Sequence, residues 1–211
     1  MQTLIGRKVG MTRVYDDRGV QVPVTVVQVG PCVVAQRKTA EKDGYEAAQL
    51  GFEEQKPQRL SKALNGHFAK AGVKPQKVLR EVRLADGDDA KVGDVLTASV
   101  FEGVSFVDVL AHTKGRGFQG VIRRYGMRGG RESHGGAWTR RPGSIGNREW
   151  PARVFKNKKM PGQMGSVDVT TQNVRVVKVL AADNAILLEG AVPGPNGGIV
   201  VVRKAIKKAQ A

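Results

Sequence analysis

HTKGRGFQGVIRRYG, residues 112–126, decides how this chain is read. Within it, Gly115, Gly117 and Gly120 have the G-x-G-x-x-G spacing of a dinucleotide-binding turn. Such a turn needs a strand before the glycines, a crossover helix after them, and an acid about 20 residues further on. VSFVDVL, residues 104–110, supplies a strand. But VIRRYGMRGGR then runs into Gly126, Gly129 and Gly130, too soon for a crossover helix. Glu132 and Glu149 follow no second strand, and no β-α-β alternation occurs along the chain. The nucleotide-binding reading fails, so the glycines need another explanation.

Their surroundings supply one. Residues 112–165 hold 13 Lys+Arg against 2 Asp+Glu, a net charge of +11, and 12 of the 27 glycines. The remaining residues carry only +5 of the total +16. Charge of one sign at this density repels itself and calls for a polyanion. A membrane surface would need a long amphipathic basic helix. The glycines, with Pro142, Pro151 and Pro161, forbid one. Nucleic acid is the partner that remains. The apolar groups of the segment, among them Trp138, Trp150 and Phe155, are scattered rather than periodic. They bury too little to offset the ordering entropy, so the segment is expected to be mobile alone and ordered on its partner.

The chemistry of the segment suits RNA. Arg116, Arg123, Arg124, Arg128, Arg131, Arg140, Arg141, Arg148 and Arg153 outnumber Lys114, Lys156, Lys158 and Lys159. Arginine presents a planar fork that binds phosphate bidentately and stacks on bases. Trp138 and Trp150, with Tyr125 and Phe155, can stack on unpaired bases. These thirteen cations and the two tryptophans are the candidate RNA-binding residues. Nothing comparable points to catalysis. Ser133-His134 and Ser144 lie in no G-x-S-x-G turn and have no evident orienting acid. No phosphate loop of the NTPase kind occurs. Cys32 is the single cysteine, and His67, His112 and His134 are far apart, so no metal site and no cofactor are expected. No small-molecule substrate and no membrane span are expected either: no stretch of 18 apolar residues exists.

The flanks read as β structure. Residues 22–29, 32–38, 47–52, 95–101, 104–110, 173–181, 185–192 and 198–204 are β-branched or alternating runs. Gly30-Pro31, Asp43-Gly44, Glu102-Gly103, Asp183-Asn184 and PGPNGG mark turns between them. Short strands so spaced fit a closed antiparallel barrel or a sandwich. One stretch departs from this. RLSKALNGHFAKAG, residues 59–72, sets Leu60, Leu64 and Phe68 on one helical face, with Ser61 as cap and Gly72 as stop. The expected organisation is a β body over 1–111 and 166–211, a helical insertion near 55–85, and a basic loop over 112–165. RKAIKKAQA at the end reads as a frayed basic tail. On composition alone, an RNA-binding regulator or chaperone-like protein is as good a reading as a structural ribonucleoprotein.

Several stretches together resemble a known family. HGGAWTRRPGSIGNREWPARVFKNKKMPGQMG (134–165) is similar to the signature of the bacterial-type large-subunit ribosomal protein L3 family. So are LIGRKVGMTRVY, VPVTVVQVGPCVVAQRKT, DGYEAAQLGF, GHFAKAGV, TKGRGFQGVIRR and VPGPNGGIVVVRKA, in family order from about residue 4 to 205. The resemblance implies a mainly β body with a six-stranded barrel like that of translation factors. It also implies a long basic, glycine-rich extension toward the peptidyl-transferase centre. Implied partners are large-subunit ribosomal RNA, bound early in assembly, and neighbouring ribosomal proteins in the cytoplasmic ribosome; no enzymatic activity is implied. The extension maps onto about residues 114–162, with its tip in RRPGSIGNREWP. Family members often carry a glutamine after GSIG that is methylated in some bacteria. Here that position is Asn147, one methylene shorter, so the modification does not carry over directly. Ala152 and Asn157 stand where the family pattern has glycine, and Pro161 where alanine is common.

Overall fold

The computed structural model describes residues 2–85 and 88–208. The chain forms β1 (Thr3–Tyr15), β2 (Gln21–Val29), β3 (Cys32–Lys38), α1 (Ala40–Asp43), β4 (Ala47–Glu54), α2 (Lys62–Ala71), β5 (Gln76–Arg83) and β6 (Val95–Leu96). Then come β7 (Phe106–His112), β8 (Phe118–Gln119), α3 (Val121–Tyr125), β9 (Gly162–Gln163), β10 (Asp168–Leu180), β11 (Ala185–Glu189) and β12 (Ile199–Lys204). The protein is mainly β with few helices. Every strand pairing among the described residues is antiparallel, which removes the parallel β-α-β unit that GRGFQG invited. The chain divides into two compact units: Met1–His112 with Asp168–Ala211, and Thr113–Val167.

In the first unit, hydrogen bonding runs β1–β12–β7–β10–β11–β2, and β2 pairs back to β1. Alternation sets which side of these strands faces the core. On β7, Val107, Val109 and Ala111 are buried while Leu110 is exposed; on β12, Val200 and Val202 are buried. Leu4, Val27, Ile186 and Leu188 join them in one core. Each fully buried Val, Leu or Ile contributes about 1.5–3 kcal/mol. A second sheet, β5–β4–β3–β6, adds Val34, Leu50 and Phe52 to the same core. Arg7 on β1 donates to Glu53 at the end of β4, 2.7 Å from Nη2 to Oε2. Burial pushes the Glu53 carboxyl up, but hydrogen bonds from Arg7 and Lys77 outweigh it and hold the group below its ordinary range. Cys32 is buried, and burial pushes its thiol up to about 11, so it is a packing residue rather than a nucleophile.

α2 forms where periodicity placed it. The Ser61 hydroxyl accepts from the Leu64 N–H, and Gly72 ends the helix at φ 66°. Phe68 is its buried anchor; Leu64 is 40% exposed, so the apolar face is narrower than the i, i+4 spacing implied. His67 bonds Gln49 through Nε2 at 2.7 Å and meets the Phe68 ring edge-on.

Four expectations need correction. Residues 95–101 are not a strand: only β6 is extended, and Ala98–Phe101 is a 3-10 turn that buries Ala98 and Phe101 completely. β6 pairs with β3, whereas β7 pairs with β10 and β12, so the two do not form a hairpin. The helical insertion stops at Ala71, and β5 follows as an edge strand on β4. The tail is docked as far as it is described: Ala205 is buried, its N–H donates to the Phe106 carbonyl, and Lys208 Nζ lies 3.7 Å from the Phe106 ring centroid. Residues 209–211 of that tail lie outside the described residues.

Within the first unit, the residues where the chain leaves and returns are paired with each other. His112, the last residue of β7, pairs across from Asp168, the first of β10, and their side chains meet at 2.9 Å. Deeper in this pair, register shifts between Thr171 and Val174. The buried Asp108 carboxylate accepts the Asn173 N–H there at 3.0 Å and pins the bulge.

Candidate nucleic-acid interface

The second unit is built from a stem, one turn of helix and an open region. In the stem, Thr113 N–H donates to Val167 O, Arg116 N–H to Met164 O, and Met164 N–H to Gly117 O, at 2.9–3.0 Å. β8 and β9 continue it, with Phe118 opposite Gln163 and Gln119 opposite Gly162. The two strands approach so closely that a Cβ on Gly165, at φ 70°, would lie 2.1 Å from the Lys114 carbonyl oxygen. Glycine is obligatory there on both counts. α3 does follow Gly120, but Gly126 ends it after five residues at φ 68°. Further on, Gly129 at φ 76° would drive a Cβ to 2.2 Å from Thr139 O, and Gly130 N–H bonds that same carbonyl.

Thirteen cations are spread over this frame, and twelve are exposed: Lys114, Arg116, Arg123, Arg128, Arg131, Arg140, Arg141, Arg148, Arg153, Lys156, Lys158 and Lys159. The exception is Arg124. Its guanidinium donates to Met160 O at 2.8 Å, stands 5.0 Å from the Tyr125 ring, and would be struck by a Cβ on Gly162. Arg124 therefore clamps the returning chain, a structural role that counting arginines does not reveal. Among the described residues none of the thirteen forms an ion pair with a carboxylate. Lys and Arg of the body do, among them Arg7, Arg37, Lys38, Lys74, Lys77, Arg175 and Arg203. A cation left in water keeps its full charge for an incoming phosphate and has no carboxylate to give up.

Aromatic rings share this exposure. Trp150 is 85% exposed and Trp138 62%; Phe118 and Phe155 are also open. Rings of this size in water, interleaved with arginine, are stacking platforms for bases. Phe118 was not among the expected residues. Its signal was local: a lone aromatic between Gly117 and Gln119 has no apolar neighbour to pack on. Asn147 lies in the exposed stretch just after Gly146, whose carbonyl accepts from the Ser144 hydroxyl. Ala152 and Asn157, the positions where the family pattern has glycine, keep left-handed backbones at φ 60° and 64°. The conformation that glycine would favour is retained without glycine, at a cost of about 1–2 kcal/mol for alanine and less for asparagine. No cluster of His, Cys, Asp or Glu suited to a metal occurs among the described residues, and no helix is long and apolar enough to cross a membrane.

A β-rich body carrying an arginine- and glycine-rich unit with unpaired charge and open aromatic rings defines a basic polyanion-binding protein. Comparison with known proteins gives the family. The family described as ribosomal protein L3 matches residues 55–185. The large ribosomal subunit protein uL3 of Geobacter sulfurreducens is 51% identical over 204 residues, covering 97% of each chain. Its counterpart from Heliobacterium modesticaldum is 50% identical over 97% of each chain, and that from Magnetococcus marinus 50% identical over 99% of this chain and 98% of its own. The chain belongs to the ribosomal protein L3 family.

Proposed function

We propose that this protein is a structural constituent of the large ribosomal subunit that binds large-subunit ribosomal RNA directly and has no enzymatic activity of its own. Family membership supports the place of work: the relatives carry the large subunit in their names. It also supports a cytoplasmic ribosome as location and neighbouring ribosomal proteins as further partners. The observation that carries RNA binding is the thirteen-to-two charge imbalance, with twelve cations exposed and none paired among the described residues. In this reading the circularly paired strands are a six-stranded barrel of the translation-factor kind, the fixed platform. Residues 112–165 are the RNA-binding loop, and they extend toward the peptidyl-transferase centre, with residues 140–151 at the tip.

The division of labour follows from the chemistry. Lys114, Arg116 and Arg123 near the stem neutralise backbone phosphate; Arg140, Arg141, Arg148 and Arg153 add bidentate contacts. Trp138 and Trp150 stack on unpaired bases. Lys156, Lys158 and Lys159 act as point charges along the returning strand. Arg128 and Arg131 flank the tight approach at Gly129. Ordering such a segment on RNA early would fix long-range RNA contacts before other proteins arrive, which is the sense in which it nucleates assembly. The test is gradient sedimentation of lysate from cells carrying an epitope-tagged copy. The expected result is co-migration with the large subunit that survives a high-salt wash. Sedimentation at the top of the gradient, away from ribosomal particles, contradicts the proposal.

A further inference from the structure

The body holds a second basic surface. From residue 55 to 80 there are seven Lys+Arg and no Asp or Glu. The rest of the first unit has 15 Lys+Arg against 17 Asp+Glu, so all of the body's positive excess lies in this one insertion. Lys74 and Lys77 are spent on Glu54 and Glu53. Lys56, Arg59, Lys62, Lys70 and Arg80 are exposed and pair with no acid among the described residues.

Four of these lie on α2 or on the turn bonded to it. Along α2, Lys62, Gly66 and Lys70 follow one another at intervals of four, on the side away from the buried Phe68. Eight residues of helix set the two lysines about 12 Å apart along the axis. Gly66 between them is open: a Cβ there would meet nothing within 4 Å. The 3-10 turn Pro57–Arg59 lies alongside, because Asn65 Nδ2 donates to Pro57 O at 2.9 Å, and this brings Lys56 and Arg59 to the helix. The face lacks what the second unit has. The partly exposed Leu64 lies on the Phe68 side of the helix, and the lysine face presents no open aromatic ring. Lysine-rich, ring-free and notched, it suits phosphates held in regular array rather than splayed bases.

We propose that the α2 face, Lys56, Arg59, Lys62 and Lys70, is a second and independent RNA-binding surface that seats on the phosphate backbone of a double-helical RNA segment. The proposal rests on the reading of the chain as a ribosomal RNA-binding protein. It adds that the body itself is anchored, and by sequence-independent contacts.

The full-length protein and deproteinised large-subunit ribosomal RNA serve as the probe, with binding titrated against salt and protected nucleotides mapped by hydroxyl radical. Neutralising all four residues (K56Q/R59Q/K62Q/K70Q) is expected to lower the slope of log affinity against log salt by about 3, at 0.7–0.9 per phosphate lost. One set of duplex protections should vanish while those due to the second unit persist. Gly66→Glu gives the sharper arm. It places an acid four residues from each lysine, and replaces glycine by a better helix former in open space. Thermal stability should hold or rise while the salt slope falls by about 1.5, the share of two lysines. A merely structural role for this face would move stability and binding together. If both variants keep the wild-type slope and protections, the inference is overturned and the ribosomal reading stands. If wild-type protein fails to bind the RNA, the ribosomal reading itself falls. Intact RNA binding with lost retention of a neighbouring ribosomal protein would reassign the face to an acidic protein partner and equally overturn the proposal.

Discussion

Arg7, Lys38 and Arg175 in the body each meet a carboxylate within 2.7 Å, whereas the thirteen cations of residues 113–167 meet none among the described residues. The same contrast runs through the apolar groups. The body buries Leu4, Val27, Phe101 and Ile186 completely, while the second unit buries Val121 alone and leaves both tryptophans open. One part of the chain buries its apolar groups and pairs many of its charges internally, and owes its order to that. The other holds its shape through a short hydrogen-bonded stem and close glycine contacts, and leaves charge and rings for a partner. The difference teaches where each kind of substitution will be felt: in folding for buried and clamped groups, in binding for exposed cations and rings.

Substitutions can break that contrast or sharpen it. The largest stability effect is expected in the body core. Phe101→Ala removes a fully buried ring and should cost about 3–5 kcal/mol in urea unfolding. A loss under 1 kcal/mol would mean the core is not where the stability resides. Next is the stem. Gly165→Ala forces a Cβ to 2.1 Å from Lys114 O at a positive φ, and should cost about 2 kcal/mol or more locally. Faster amide exchange at Arg116 and Met164, with an unchanged urea midpoint for the body, is the expected pattern; a shifted body midpoint would show that the two units do not unfold separately.

The neighbours Arg123 and Arg124 separate binding from structure at closer range. Arg124→Gln loses the bond to Met160 O and should loosen the stem by about 1 kcal/mol, seen as faster exchange. Arg123→Gln, at an exposed position, should leave exchange unchanged and lower RNA affinity instead. Equal exchange in the two variants would remove the clamp assigned to Arg124. The smallest effect is a gain. Ala152→Gly relieves a left-handed alanine and should slow exchange around the tip by a factor matching about 1 kcal/mol at most; faster exchange would mean that φ 60° carries no strain.

Much of this was legible in the residues, and the exceptions have physical reasons. β2, β3 and β12 were legible because β-branched residues alternate between clear turn residues. α2 was legible because Ser61, Phe68 and Gly72 each do local work that spacing reveals. β1 was missed: Arg7, Lys8 and Gly10 interrupt its apolar alternation, and much of its second half is exposed. β5 was missed because an edge strand with Lys77, Arg80 and Arg83 looks like loop sequence until β4 is beside it. The 3-10 turn at Ala98–Phe101 carries strand-forming residues, and tertiary packing of Phe101 overrides that propensity. In the candidate site, net charge and residue type gave the interface. They could not single out Arg124, whose role depends on where Met160 returns 36 residues later. Nor did a whole-chain charge count expose the α2 face, because acids elsewhere in the body hide the seven cations of residues 55–80.

The central claim is that the second unit binds RNA through charge left unpaired within the chain, while the body folds without it. The direct measurement is the salt dependence of binding to large-subunit ribosomal RNA for the full chain and for a deletion of residues 114–162. At about 0.7–0.9 per phosphate, the twelve exposed cations account for up to about 8–11 of the slope. The deletion variant should keep the body's β circular dichroism and lose most of that slope, retaining about 3 from the α2 face. An unchanged slope in a folded deletion variant would contradict the account.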